Sequence, residues 1–111
     1  MKPIGTFQSK RWGTVRVLRG TYGSANGPNS IVLQLDTGEP LGKLSVNMDK
    51  PDCGPCSWDL PLDCFYAKTW EENEELAAEA LATGFFRLRG DLPQAESGRV
   101  VASVWQIVGA Q

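Results

Sequence analysis

Histidine is absent from this chain of 111 residues. Its absence removes the side chain that most often serves as a general base or as a transition-metal ligand. Ser-His-Asp and Cys-His triads are therefore excluded within the chain. The glycines occur singly in predicted turns, so a phosphate-cradling glycine motif is missing as well. We expect a protein that is not an enzyme and that carries neither a metal nor another cofactor.

Long apolar segments are also missing. No apolar run approaches the about 20 residues that cross a bilayer, and the opening Met-Lys-Pro-Ile lacks the apolar core of a secretory signal. We therefore expect a cytoplasmic protein without a membrane partner. Hydrophobic residues make up 41% and charged residues 22% of the chain, which is typical of a globular protein. Its length predicts a single domain over residues 1–111.

The charge is unevenly distributed along the chain. Residues 1–35 contain five bases and no acid, and the remainder contains all 13 acids and the other six of the 11 bases, which leaves a net charge of −2. The five bases are Lys2, Lys10, Arg11, Arg16 and Arg19. Together with Trp12, the last four resemble the mixture of cations and rings that lines nucleic-acid grooves. An isoelectric point of about 5.0 is low for a general nucleic-acid binder.

Alternating apolar and polar residues predict strands over residues 13–19, 31–35 and 41–47, separated by turns rich in Gly, Asn and Pro. The short connections favour an antiparallel meander. Further strands are predicted over 64–68, 85–89 and 99–108, with loops over 48–61 and 90–98. The predicted fold is α+β: an antiparallel sheet of about five strands with one helix packed on one face.

The helix is predicted from its start signal and its apolar stripe. Thr69-Trp70-Glu71-Glu72 matches a capping box, with Thr69 as the N-cap and Glu72 reaching back to it. Gly84 suits the position just after the helix. The predicted inward stripe consists of Asn73, Leu76, Ala77, Ala80 and Leu81.

The three cysteines leave several interpretations open. Cys53-Gly54-Pro55-Cys56 resembles the active-site tetrapeptide of thioredoxins, whose chemistry needs the first cysteine at a helix N-terminus. Pro61 would break such a helix within about two turns. Cys64, with Asp52, Asp59 or Asp63, adds donors for zinc, but a fourth Cys or His ligand is missing. We predict that Cys53 and Cys56 brace a loop, reduced or as a disulfide, and that Cys64 is a buried thiol.

Two segments carry a resemblance to a known family: Ser45-Val46-Asn47, and the run from Cys64 to Glu74 that contains Lys-Thr-Trp-Glu-Glu-Asn-Glu. Followed by the predicted helix and Gly84, they resemble a family of small uncharacterised proteins encoded by phages, conjugative plasmids and integrative elements. The chain departs from that pattern in the segment Cys53 to Cys56 and in having Glu75 where the family has Gly. The resemblance implies a genomic context, and small proteins of mobile elements often neutralise CRISPR or restriction systems.

These observations predict a protein that acts by binding. Its expected partner is a host protein or ribonucleoprotein complex of a defence system, which it would inhibit in the manner of an anti-CRISPR protein. The predicted partner-binding residues are the acids of the helix, which could dock on a basic channel: Glu71, Glu72, Glu74, Glu75 and Glu79. The same acids could instead only solvate the helix and favour its N-terminus. The alternative function is nucleic-acid binding by the basic N-terminal region.

Overall fold

The computed structural model describes residues 2–23 and 27–109, and within them lie nine strands and one α-helix. The predicted α+β class, its antiparallel pairing and its one helix are confirmed. The strands of this described part form two sheets, whereas the sequence pattern predicted one sheet of about five strands.

The first sheet contains β1 (Lys2–Ser9), β2 (Gly13–Thr21), β3 (Asn29–Leu35) and β4 (Pro40–Lys43), paired in that order. Alternation decides which face of β2 is inside, since Val15 and Val17 are buried and Arg16 between them is exposed. Strand β1 was not predicted. Its apolar residues do not alternate regularly, because the register shifts between Pro3 and Gly5.

Leu44 ends the first sheet and begins the second. The strand predicted over residues 41–47 is divided there into β4 and β5 (Ser45–Val46). The Leu44 side chain is buried, its N–H donates to the Ile31 carbonyl (2.9 Å), and its carbonyl accepts from the Lys68 N–H (2.6 Å). Leu44 thus hydrogen-bonds to both sides of the corner at which the chain changes sheets.

The second sheet pairs β5, β6 (Cys64–Ala67), β9 (Val100–Ile107) and β7 (Phe86–Leu88) in that order, and β8 (Ala95–Ser97) adds to β9. The predicted loop over 90–98 therefore contains a short strand. β9 is long enough to pair with three strands: β6 and β7 pair with its C-terminal half, and β8 pairs with its N-terminal half.

The α-helix, α1, spans Glu74–Ala82 and follows a one-turn 3₁₀ helix at Glu71–Asn73. It contacts β1 and β7, which are outer strands of the two sheets, and so links one edge of each sheet. Leu76, Ala77 and Ala80 are buried, as the apolar stripe predicted. Gly84 follows the helix with φ of 84°, the left-handed conformation expected of a glycine there.

The predicted capping box is wrong. The 3₁₀ helix begins at Glu71, and Trp70, without a side-chain cap bond, occupies the N-cap position predicted for Thr69. Glu72 accepts a hydrogen bond from Lys68 Nζ (2.7 Å) and does not reach back to Thr69. Tertiary bonds set the start of the helix: the buried Asn73 amide donates to the carbonyls of Lys43 (2.5 Å) and Lys68 (3.2 Å).

The buried side chains of the described residues form two clusters. The larger one includes residues of both sheets and of α1, and the rings of Phe65, Phe86 and Trp105 meet in it at centroid distances of 5.5 to 6.2 Å. The smaller one contains Met48, Cys64, Tyr66, Ala95, Ala102 and Val104. Half-buried Leu60 packs on the smaller cluster and anchors the segment between β5 and β6. Across residues 2–23 and 27–109, no helix has the length and apolarity required to span a membrane.

Candidate partner-binding surfaces

Four of the five predicted partner-binding acids lie together at the start of the helix. Glu71 and Glu72 belong to the 3₁₀ turn, Glu74 and Glu75 to the first turn of α1, and all four are exposed. We call these four residues the acidic helix start. They line a groove of about 290 Å³ together with Arg11, Trp12, Leu41, Asn73 and Leu76. The fold therefore places part of the predicted basic segment beside the predicted acidic surface.

The aromatic side of this groove comes from the turn between β1 and β2. Trp12 is 43% exposed, and the Arg11 guanidinium carbon lies 5.3 Å from the centroid of its ring. A cation at this distance from an indole ring is attracted to it. The groove thus offers a partner an accessible aromatic ring, one guanidinium group and four carboxylates.

Glu72 forms an ion pair with Lys68, whose Nζ lies 2.7 Å from Glu72 Oε1. The hydrogen bond from Lys68 holds the pKa of the Glu72 carboxyl below its usual value, and the charge of Lys68 acts in the same direction. Glu72 is therefore ionised at neutral pH, with its charge partly balanced by Lys68. Two cations, Lys68 and Arg11, thus lie beside the four carboxylates, which leaves an excess of negative charge.

Glu79, the fifth predicted acid, has a structural role. Its two carboxylate oxygens accept hydrogen bonds from Ser9 Oγ and the Lys10 N–H, both at 2.9 Å. The residue is half-buried. Ser9 Oγ also accepts from the N–H groups of Arg11 and Trp12. Glu79 therefore fixes the turn that carries Arg11 and Trp12 against the helix, and it is apart from the acidic helix start.

The basic segment does not form one continuous surface. Arg16 and Arg19 are three positions apart in β2, so their side chains leave opposite faces of the strand. Arg19 is engaged within the protein: its Nε donates to Asn29 Oδ1 (3.0 Å) and its Nη2 donates to the Leu62 carbonyl (2.9 Å). The strand geometry thus separates cations that are close in the sequence.

The cysteine segment does not have the geometry of a thioredoxin active site. Cys53 lies in a β-bridge to Glu96, with which it exchanges backbone hydrogen bonds of 3.2 and 2.8 Å. The one-turn 3₁₀ helix nearby, Ser57–Asp59, starts after the second cysteine, Cys56, whose Sγ donates to Asp59 Oδ2 (3.1 Å). The helix N-terminus that such chemistry requires at the first cysteine is replaced here by a strand-like contact.

The segment is also tightly packed at its glycine. Gly54 has φ of 91°, and a Cβ atom at this position would lie 2.2 Å from the Gln94 carbonyl oxygen.

Cys53 and Cys56 are free thiols. Within the described part of the chain, no three His, Cys, Asp or Glu residues are grouped so that they could hold a metal ion.

Cys64 and Tyr66 are buried in β6, and Cys64 is a free thiol as predicted. Burial raises the pKa of the Cys64 thiol to about 11, and the neighbouring charge of Asp63 acts in the same direction. Burial likewise raises the pKa of the Tyr66 phenol to about 12, and its hydroxyl donates to the Pro55 carbonyl. Both groups are protonated at neutral pH, so neither is suited to act as a nucleophile or a base there.

One exposed apolar surface was not predicted from the sequence. The segment 57–62, which we call the apolar loop, carries Trp58 with 54% and Leu62 with 90% of its surface exposed. Both residues line one small cleft of about 50 Å³. The sequence does contain a signal for this surface. Trp58, Leu60 and Leu62 alternate with other residues beside Pro61, and Leu60 is the one that packs inward.

No protein-family model, no curated protein and no solved structure matches the chain.

Proposed function

We propose that this chain is a non-enzymatic protein of a phage or other mobile element that binds and inhibits a host defence complex in the host cytoplasm. The acidic helix start would dock on a cationic nucleic-acid channel of a CRISPR or restriction complex. The observation that carries the proposal is the placement of four exposed carboxylates in one groove beside an exposed tryptophan.

The chemistry of this groove suits a cationic partner surface. Its negative charge would speed encounter with a basic channel and fix the orientation of the complex. Trp12 adds a large ring of the type that most often contributes a large share of binding energy at interfaces. A protein bound in such a channel would exclude the nucleic acid by occupancy, and no catalytic group is needed for that effect.

The backbone of Glu71 gives further support. Glu71 has φ of 55°, and it is the one non-glycine residue with positive φ in the described part of the chain. A non-glycine residue in the left-handed region is destabilised by about 1 to 3 kcal/mol, and such residues cluster at functional sites. The strain lies at the first residue of the acidic helix start, where the chain turns into the helix.

Charge reversal tests this proposal. The variant Glu74→Lys/Glu75→Lys changes two exposed acids of the groove, and Asp36→Lys/Glu39→Lys makes the same change in an exposed turn between β3 and β4. Each protein is expressed in hosts with an active CRISPR or restriction system, and phage plaques are counted. We expect the wild type and the turn variant to raise plaque numbers and the groove variant to lose this effect.

A folding control is needed, because lysine near a helix N-terminus is unfavourable by about 0.3 to 1 kcal/mol. Urea unfolding of the groove variant should therefore give only a slightly lower midpoint than the wild type. If the wild type raises plaque numbers against none of several defence systems, the inhibitor proposal fails. If both variants stay active, the acidic helix start is not the interface.

Nucleic-acid binding by the basic N-terminal region is the second candidate, favoured by the cation–π contact between Arg11 and exposed Trp12. Two observations argue against nucleic-acid binding. Arg16 and Arg19 lie on opposite faces of β2, and Arg19 is hydrogen-bonded within the protein. We therefore expect no tight binding of DNA or RNA at physiological salt. If a salt-dependent complex with DNA or RNA forms and is lost in Arg11→Ala/Arg16→Ala, nucleic-acid binding becomes the first candidate function.

A further inference from the structure

The outer face of the first sheet carries a groove that the proposed function does not use. Val15 and Val17 are buried in the core, so the residues that alternate with them in β2, Arg16 and Leu18, lie on the outer face. Both residues line a groove of about 440 Å³. We propose that this groove, which we call the outer groove, binds a small organic monocarboxylate with an apolar body, of the type of a medium-chain fatty acid.

The strand register divides the outer groove into a polar row and an apolar row. Arg16 lies opposite Thr6 of β1 and Gln34 of β3, so three polar residues cross the strands side by side. Two positions further along β2, Leu18 lies opposite Pro3. All five residues line the groove. Because two residues span about 7 Å of a strand, a ligand with a polar end and an apolar end contacts both rows at once.

A bulge in β1 lies at the apolar end of the outer groove. The register with β2 shifts between Pro3 and Gly5, so Ile4 between them has no partner in β2. A bulge bends its strand, and Ile4 lines the groove while belonging to the larger core cluster. The groove is thus built into the pairing of the strands, and a site that is ordered in advance loses little conformational entropy on binding.

Arg16 is the one charged residue that lines the outer groove within the described part of the chain. It is exposed, and neither of the two ion pairs formed by the described residues includes it. Asp36 and Glu39, in the turn between β3 and β4, do not line the groove. Lys43 on the same face does not line it either, and its Nζ lies 5.3 Å from the centroid of the Tyr22 ring. The Arg16 charge is therefore available to an anionic ligand.

The number of cations and the size of the groove indicate the class of ligand. One guanidinium balances one negative charge, and its planar fork matches the two oxygens of a carboxylate. Nucleic-acid strands and nucleoside phosphates carry several charges, which proteins usually meet with several cations. A volume of about 440 Å³ with a mostly apolar lining and a few polar groups is typical of small-molecule sites. Charge complementarity and shape therefore both favour an apolar monocarboxylate.

Titration of the full chain with octanoate, followed by amide chemical shifts in NMR spectra, tests this inference. We expect saturable shifts at the amides that line the outer groove, including those of Thr6, Arg16, Leu18 and Gln34. Octanol retains the apolar body without the charge, and acetate retains the charge without the apolar body. Each should bind about tenfold more weakly than octanoate or less tightly still, because each meets only one of the two rows.

Matched variants assign the binding to the two rows. Arg16→Gln should weaken octanoate binding by about tenfold, as expected for the loss of a charged hydrogen-bond donor. Arg87→Gln, which removes an exposed arginine of β7, should leave the affinity unchanged. Leu18→Ser should weaken binding by about fivefold, and its control is Leu88→Ser at an exposed position of β7. Arg16→Lys keeps the charge but not the fork, so its affinity should lie between those of the wild type and Arg16→Gln.

The inference is overturned if octanol binds as tightly as octanoate, or if Arg16→Gln and Arg87→Gln bind octanoate equally well. It is also overturned if a single-stranded oligonucleotide or a glutamate-rich peptide displaces octanoate at lower concentration than octanoate itself requires. Self-association of the wild type that Leu18→Ser abolishes would assign the groove to a second copy of the chain instead. Variant Glu74→Lys/Glu75→Lys should bind octanoate as the wild type does, which separates this inference from the proposed function.

Discussion

Replacing Asn29 by alanine tests the hydrogen bonds that connect the first sheet to the apolar loop. Asn29 begins β3 and is 7% exposed. Its Nδ2 donates to the carbonyls of Leu62 (2.7 Å) and Cys64 (2.8 Å), and its Oδ1 accepts from Arg19 Nε (3.0 Å). Alanine removes all three bonds and leaves a cavity beside a buried carbonyl.

The expected loss can be estimated from these three bonds. Each neutral hydrogen bond contributes about 1 kcal/mol net, and one from a charged donor contributes about 1.5 kcal/mol or more. We therefore expect Asn29→Ala to lower the free energy of unfolding by about 3.5 kcal/mol. With a urea m-value of about 1.5 kcal/mol/M, the midpoint should fall by about 2 M. This is a large share of the stability usual for a domain of this size.

Equilibrium unfolding in urea, followed by tryptophan fluorescence, measures the change. The control is Gln8→Ala, which removes an exposed hydrogen bond from Gln8 Nε2 to Thr14 Oγ1 (2.8 Å) and should change stability by about 0.5 kcal/mol at most. A loss in Asn29→Ala no larger than in this control would show that these bonds do not hold the loop.

Glu79→Gln should lower the free energy of unfolding by about 1 to 2 kcal/mol in urea, because Glu79 receives two hydrogen bonds, whereas Glu75→Gln should have almost no effect; equal effects would contradict the role of Glu79. Thr69→Ala should cost less than about 0.5 kcal/mol in the same assay, since Thr69 is not the cap, and a loss of about 1 kcal/mol would restore the predicted cap. Burial raises the pKa of the Cys64 thiol from 9.0 to about 11, so the folded state binds a proton that the unfolded state releases, and stability should fall as pH rises from about 9 to 11. Urea unfolding across this range should show a shallower fall in Cys64→Ala, and an unchanged slope would contradict the assignment.

Local periodicity was sufficient for the elements whose side chains alternate or recur regularly. The buried pair Val15 and Val17 and the helical stripe of Leu76, Ala77 and Ala80 could be predicted because neighbours in the sequence share one face. Gly84 could be predicted for the same local reason, since the left-handed residue after a helix favours glycine.

The start of the helix could not be predicted in this way. Thr69 and Glu72 have the right spacing for a capping box, but Asn73 is bonded to the Lys43 carbonyl, 30 residues away, and Glu72 to Lys68. Bonds to distant backbone atoms compete with a local cap, and no spacing rule includes them. Residues 41–47 are a similar case, since Leu44 is held from two sheets and the predicted strand is divided there.

The features of the candidate surfaces likewise differ in whether they could be predicted from the sequence. Composition and local spacing are sufficient to show that the chain lacks histidine and that four of its 13 acids lie at the start of one helix. The folded structure is needed to show that Glu79 holds the β1–β2 turn, that Arg19 bonds to the Leu62 carbonyl, and that Trp58 and Leu62 line one cleft. Composition and local spacing act along the chain, whereas each of these side chains obtains its role from a partner that folding brings to it.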